Sequence, residues 1–389
     1  MLKFYDSGYS KALFCSILFL KASCAEAQVQ APSAYPGGVK VNFVRTWDAL
    51  APESDGNNLL IRPMKDVRQA TQYFDGLGRP IQTVVKQGTL ETNGQASDMV
   101  SANVYDEFGR EKYKYLPFTS TGTDGSFKLD PFQQQSTFMN QQFNVQGETY
   151  FYGQTNFEAS PLSTVEKAMN PGNSWVGAGR GIETKVWANA SIDGIKKWRV
   201  SNVTNNWGSY LVVGTYSIGE LIKSIITDEQ GKQVIEFKDK QGHVLVKKVQ
   251  LTAANDNGTG KDFTGWLTTQ YIYDDAGNLR CVVQPKGVEL LIQNSWSITA
   301  LGGDILAEQC FRYEYDSRGR MIMKKIPGAG EIWMVYDKYD RLVLTQDANM
   351  RAQTPVQWLY TQYDELNRPV ATGLWNNSSN RIYHQGQAD

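Results

Sequence analysis

Tyr315-Asp316-Ser317-Arg318-Gly319-Arg320 decides the reading of this chain. An alternating aromatic run, Phe311 to Tyr315, enters it, and another alternating run, Met321 to Lys325, leaves it. An Asp at the first position of a turn accepts hydrogen bonds from backbone N–H groups further on. A Gly at the fourth position takes positive φ without a steric penalty. A type I turn followed by one left-handed residue closes a short β-hairpin. The device recurs: Asp75 with Gly78, Asp106 with Gly109, Asp228 with Gly231, Asp239 with Gly242, Asp274 with Gly277, and Asp316 with Gly319. Two further copies put other residues at the left-handed position, Asp340 after Asp337 and Asn367 after Asp364. Asn and Asp tolerate that conformation better than most residues. The residue before each Asp is most often aromatic and the residue after the Gly is most often Arg. The expectation is that ring and cation meet across the two strands of one hairpin. These Asp, Gly and Asn residues are read as turn-formers, with no catalytic, cofactor or metal role.

Working outward, the composition agrees with a β protein. Aromatic residues make up 12% of the 389 residues, with 20 Tyr and 10 Trp, and such side chains favour strands. Lys and Arg number 39 against 40 Asp and Glu, so there is no electrostatic case for nucleic acid or an anionic membrane. Residues 1–27 read as a secretory signal: Lys3 and Lys11 precede a short apolar core, Ala12 to Leu20, and Ala25-Glu26-Ala27 supplies a cleavage site. No other window is long and apolar enough for a membrane helix. Cys15 and Cys24 fall in that signal. Cys281 and Cys310 remain, and both one disulfide and two buried thiols stay open for them.

Residues 28–40 read as a linker rich in Pro, Gly and Gln. Val41 to Trp47 is the first strand, and Val67 to Phe74 with Pro80 to Val85 flank the turn at Asp75. Asp130 followed by Pro131 predicts a helix over 131–142. A turn of helix is expected at Ser163 to Met169. Strands resume at Lys185 to Trp187 and Lys197 to Val200, and from Tyr210 onward the chain is turn and strand almost throughout. A helical patch interrupts it at 286–309, where Val288, Leu291 and Ile292 recur at helical spacing. One hairpin cannot bury a face alone, so successive hairpins must stack.

On Tyr105-Asp106 to Arg110, Tyr273-Asp274 to Gly277, Tyr315-Asp316 to Arg320, Tyr336-Asp337 to Arg341 and Tyr363-Asp364 to Arg368, the chain resembles the YD repeats of the RHS family. Tyr73 to Thr83 and Ser174-Trp175-Val176-Gly177 resemble the N-terminal domain of a secreted bacterial subgroup whose function is uncharacterised. The resemblance implies a mainly β fold: antiparallel YD hairpins in a curling sheet, part of an RHS-type shell, with a few short helices. It implies an N-terminal β-rich domain over 41–190 and a repeat region over 191–389. In relatives the shell holds a toxic C-terminal domain, sometimes released by self-cleavage at an Asp-containing motif. Asp130-Pro131 lies early and in the wrong context, so self-cleavage is not expected. The chain is expected to be either the N-terminal part of a longer protein or a truncated copy.

The motifs that would carry chemistry fall short in this sequence. His243 occupies the Arg position of a turn and His384 falls in a polar tail, so neither points to a triad. No Cys/His spacing suits zinc. Gly177-Ala178-Gly179-Arg180-Gly181 lacks a third glycine at the spacing of a phosphate loop, and no regular βαβ pattern surrounds it. Gly260-Lys261 is followed by Asp262, and Asn255-Asp256-Asn257-Gly258 lacks the Glu of a calcium loop. The resulting expectation is a non-enzymatic protein, secreted or held at the cell surface, without cofactors. Its expected partner is a C-terminal cargo domain of a longer homologous chain. The alternative is a carbohydrate-binding or adhesive protein that takes cell-surface glycans on exposed Trp and Tyr.

Overall fold

The structure is a computed structural model that describes residues 30–89, 96–252, 265–298 and 304–388. The signal segment, Asn255-Asp256-Asn257-Gly258 and Gly260-Lys261 lie outside them. The fold is mainly antiparallel β with short helices. Chain contacts divide it into two units that interleave along the sequence. Met1–Val104, Lys114–Tyr152 and Pro171–Ala178 form the first; Tyr105–Tyr113, Gly153–Asn170 and Gly179–Asp389 form the second.

In the first unit, Asn42–Ala49, Val67–Phe74, Pro80–Val85, Met99–Ala102 and Phe118–Thr119 make a five-stranded antiparallel sheet. The period of two explains its core: Val67, Tyr73, Val84, Val100 and Phe118 point inward and are buried. The helix Pro131–Phe143 starts where Pro at the first position predicts, and Gln133 N donates to Asp130 Oδ1 at 3.4 Å. It buries Phe132 and Met139. Asp98, fully buried, is neutralised by Lys128 Nζ at 2.8 Å and also accepts from the backbone N–H groups of Gln87 and Gly125. A buried carboxylate is tolerable only with such a full set of partners.

In the second unit, one continuous antiparallel sheet follows the chain. Its neighbouring strands are Tyr152–Phe157, Val165–Met169, Ile182–Ala188, Ile222–Thr227, Gln233–Lys238, Val244–Gln250, Trp266–Tyr273 and Leu279–Val283. Cys310–Tyr315, Met321–Lys325, Glu331–Tyr336, Leu342–Gln346, Gln357–Tyr363 and Pro369–Asn376 continue it. The order is linear, so the sheet does not close on itself. Strand alternation puts one set of residues on a single face: Ile235 and Phe237, then Val246, then Ile272, then Cys281 and Val283 are all buried there. A two-stranded hairpin, Lys196–Val203 with Asn206–Thr215, lies over that face and inserts Trp198 and Tyr210 into its core. The helix Pro285–Gln293 adds Val288 and Leu291 to the same cluster. The helix Arg381–Ala388 packs against Glu331–Tyr336.

Three expectations need correction. Residues 165–169 are a strand, not a turn of helix, because they complete a hairpin with Tyr152–Phe157. Residue 384 is not in a polar tail: His384 sits buried in the last helix, against the rings of Trp358, Trp375 and Tyr383. The open alternative for Cys281 and Cys310 resolves to two free, buried thiols.

Candidate functional site: a rim of stapled turns and the cleft beneath it

Each turn is built in the same way. Asp316 Oδ1 accepts from the backbone N–H groups of Arg318 and Arg320 at 2.9 Å, and Oδ2 accepts from Arg320 Nε at 2.7 Å. Asp75, Asp106, Asp337 and Asp364 repeat the three bonds with Arg79, Arg110, Arg341 and Arg368. Asp239 uses His243, whose Nδ1 lies 2.9 Å from Oδ2, and Asp274 uses Asn278. Asp228 caps Gln230 and Lys232 through their backbones. Gly78, Gly109, Gly231, Gly242, Gly277 and Gly319 all have φ between 76° and 90°, and Asp340 and Asn367 have 61° and 60°. The strand register slips by one residue at Tyr315, Tyr336 and Tyr363, as a bulge with a left-handed residue requires. Burial works to raise the Asp316 carboxyl, but the Arg320 and Arg318 bonds outweigh it and hold it below the usual carboxylate range.

The arginines make a second set of contacts that differs from the expected one. The guanidinium reaches the aromatic of the next hairpin, and Arg110 and Arg341 also lie over a ring inside their own turn, Phe108 at 4.8 Å and Tyr339 at 5.0 Å. Arg320 lies 5.0 Å over the Tyr336 ring, in the next hairpin, and its Nη1 donates to Asp337 O at 3.2 Å and Asp340 Oδ1 at 2.8 Å. Arg341 repeats this one hairpin on: 5.2 Å over Tyr363, with Nη1 donating to Asp364 O and to Asn367 Oδ1. Tyr336 and Tyr363 donate back to Met321 O and Leu342 O. The reason lies in the Asp: it takes the Nε edge, which turns the remaining edge of the guanidinium away from its own hairpin.

Sequence reading missed one member. Phe157 to Thr164 is a turn of the same kind in disguise. Glu158 stands for Asp, Ser163 holds the left-handed position at φ 51°, and Arg110 lies 4.8 Å over the Phe157 ring with Nη1 donating to Ser163 Oγ. Two extra residues in the loop hid it. In the opposite direction, Asp228 belongs to the other rim: strand alternation places the turns at Glu158, Asp239, Asp274, Asp316, Asp337 and Asp364 on one rim and Asp228 across from them. His243 follows the stapling rule, stacked 4.6 Å from Tyr273 of the next turn. The cleft beside it, about 460 Å³, has no Ser, Thr or Cys in its lining, so the Asp239–His243 pair faces no nucleophile of those types.

Below this rim the hairpin is locked to the sheet by buried ions. Arg280 pairs with Glu314 and also donates to Asp274 Oδ2 at 3.1 Å and Asn202 Oδ1 at 2.5 Å. Glu314 Oε1 accepts from Gly208 N at 2.8 Å, and Arg312 Nη2 donates to Gly208 O at 3.0 Å. Burial raises the Glu314 carboxyl, against the lowering effect of the Gly208 N–H and Arg280. A side chain at residue 208 would meet Ser201 O at 2.8 Å and Arg280 Nη2 at 3.1 Å, so Gly208 permits the close approach. Beside the cluster opens a cleft of about 760 Å³ lined by Asn202, Asp274, Asn278, Tyr315, Asp316 and Arg381 among others. Arg280, Glu314, Asp274 and Arg312 are all hydrogen-bonded within the cluster, which suits holding rather than reacting. Gly177-Ala178-Gly179-Arg180-Gly181 leads into the strand Ile182–Ala188, not a helix, so it lacks the amide crown of a phosphate loop. Among the described residues no group of three or more His, Cys, Asp or Glu could hold a metal ion, and no helix is long and apolar enough to cross a membrane.

Residues 45–188 match a family described as a domain of unknown function, DUF6443. No curated protein matches the chain. Among solved structures, it is similar to TcdB2-TccC3-Cdc42 at 15% identity and TM-score 0.49, covering 80% of this chain. It is similar to the Photorhabdus luminescens Tc holotoxin pore at 15% identity and TM-score 0.48, covering 81% of this chain. The chain spans 13% of the length of each of those two.

Proposed function

We propose that this is an exported, non-enzymatic structural protein, the opening section of an RHS-type β-shell that scaffolds or encloses a cargo domain lying C-terminal to it in a longer chain. The observation that carries the reading is the stapled rim. Turns that bind their own Arg and pass its free edge to the next turn make a sheet that extends by repetition, which is what a wall needs and an active site does not. The charge balance supports the absence of nucleic acid, and the apolar core of residues 12–20 supports export. A small folded reporter joined after Ala388 tests enclosure. Under proteinase K it should outlast the free reporter by about tenfold or more, since cleavage then waits on opening of the wall. Equal decay of the two would remove enclosure by this chain.

A second reading rests on the cleft of about 760 Å³, whose amides, carboxylates, Tyr315 and Arg381 are the groups that bind sugars. Selective, saturable signals on a glycan array, lost in Tyr315→Ala, would favour carbohydrate binding over the wall.

A further inference from the structure

Arg381 is a buried cation without a carboxylate. It opens the helix Arg381–Ala388 and is 4% exposed. Its Nη2 donates to Asn205 Oδ1 at 3.1 Å, and among the described residues its guanidinium has no other hydrogen bond and no ion pair. A guanidinium carries five N–H donors and stays charged, so a buried one with a single amide partner is costly. Burial pushes its pKa below the usual guanidinium range, opposed by the charge of Asp316. That carboxylate is already held by Arg320 and by two backbone N–H groups. The position deepens the deficit: the first turn of a helix favours acidic residues, and this one holds none. Arg381 lines the cleft of about 760 Å³. Two strands that supply its walls, Leu279–Val283 and Cys310–Tyr315, have neighbours on both sides, so the cleft is not an unfinished sheet edge.

We propose that this cleft takes an acidic sugar, a uronic acid whose carboxylate pairs with Arg381. A carboxylate sets two oxygens against two N–H donors of a guanidinium. The cleft also holds Asp274, Glu314 and Asp316, each already bound to an arginine, and their field repels a doubly charged phosphate more than a single carboxylate. The amides of Asn202, Asn206 and Asn278 and the Tyr315 hydroxyl supply groups that bind sugar hydroxyls. The inference rests on the carbohydrate-binding reading above and names the class of sugar.

The probes are trisaccharides of galacturonic, glucuronic, mannuronic and guluronic acid, each beside its methyl ester, titrated calorimetrically into the full chain. At least one acid should bind about tenfold or more tightly than its ester, the gain expected for one charge-assisted pair. Arg381→Met should weaken that acid about tenfold and leave the ester where it was, the signature of two groups acting on each other. The same variant should melt no lower than the unmodified chain, because it removes a buried cation; a residue that only held Asn205 in place would cost stability. The acid should raise the melting temperature of the unmodified chain and not that of the variant. Arg381→Lys keeps the charge without the planar fork, should lose part of the preference for the acid, and reads the same contrast if the Met variant does not fold. Acid and ester bound equally, both lost in Tyr315→Ala, would overturn the uronic acid and keep the carbohydrate reading. No binding by any probe, with neutral glycans captured on the array, would do the same; no sugar bound by either method would end both. A triglutamate peptide bound as tightly as the best acid would overturn the sugar as the source of the carboxylate.

Discussion

Replacing Gly319 by Val isolates what the left-handed position costs. Gly319 has φ 76°, and a Cβ added there would meet nothing within 4 Å. No clash or cavity enters, so the whole effect is the backbone penalty of a β-branched residue in the left-handed region, about 1–2 kcal/mol. For a unit of this size that is a fall in melting temperature of about 2–8 °C. Gly319→Asn supplies the internal control. Asp340 and Asn367 hold the same place in the neighbouring turns, at φ 61° and 60°, so Asn should cost only a fraction of the Val penalty. Thermal melts and urea titrations on the two variants read the difference, with the urea slope m checked for constancy. An unchanged midpoint for Val would refute the turn geometry. Equal losses for Val and Asn would show that the space around residue 319, not its φ, sets the cost.

Arg280→Met removes the ion-pair partner of buried Glu314 and leaves it only the more distant Arg312, and should destabilise the second unit by about 3 kcal/mol, whereas Arg280→Met with Glu314→Leu should recover much of that loss; chemical denaturation of the single and double variants decides it, and a double variant no better than the single would mean that the pair is not the lock described. Burial lowers the His384 pKa below 6.5, against a raising contact with the Ser379 backbone. The folded state therefore prefers the neutral ring, so its contribution to stability is complete above pH 6.5 and is lost as pH falls through the folded value. Tryptophan fluorescence from Trp358 and Trp375, both in contact with the imidazole, should show a titration below pH 6.5 that disappears in His384→Phe. A profile identical in the variant would remove His384 as its source.

The turns were legible because their logic is local: an Asp, a left-handed residue and a cation within five positions state the whole geometry. The strands between them were legible where they alternate, as at Cys310–Tyr315. What sequence could not give is what the second edge of each guanidinium does, since Arg320 and Asp340 stand twenty residues apart and only the sheet order brings them together. The Phe157–Thr164 turn was hidden by its longer loop and by Glu158 in place of Asp. The hairpin over the sheet was half seen at Lys197 to Val200. Its partner, Asn206–Thr215, alternates less cleanly because Gly208 must stay small where Arg280 and Arg312 approach. His384 shows the opposite failure: a helix with Arg381 and His384 facing inward looks polar from its composition and is buried by packing.

The two edges of each guanidinium also act at different moments in the life of the chain. The Asp–Arg bond spans four positions, so a turn satisfies itself as soon as its own few residues exist. The reach to the next hairpin spans 20 residues for Arg320 and 26 for Arg341. A chain emerging from a ribosome or threading an export channel can therefore set one hairpin at a time, each finished locally before it is asked to hold its successor. Wide sheets are slow to assemble when their pairings lie far apart in sequence. Here almost every pairing is with the strand just made, and at the turns of Asp106, Asp316 and Asp337 the finished hairpin hands an arginine on to the next.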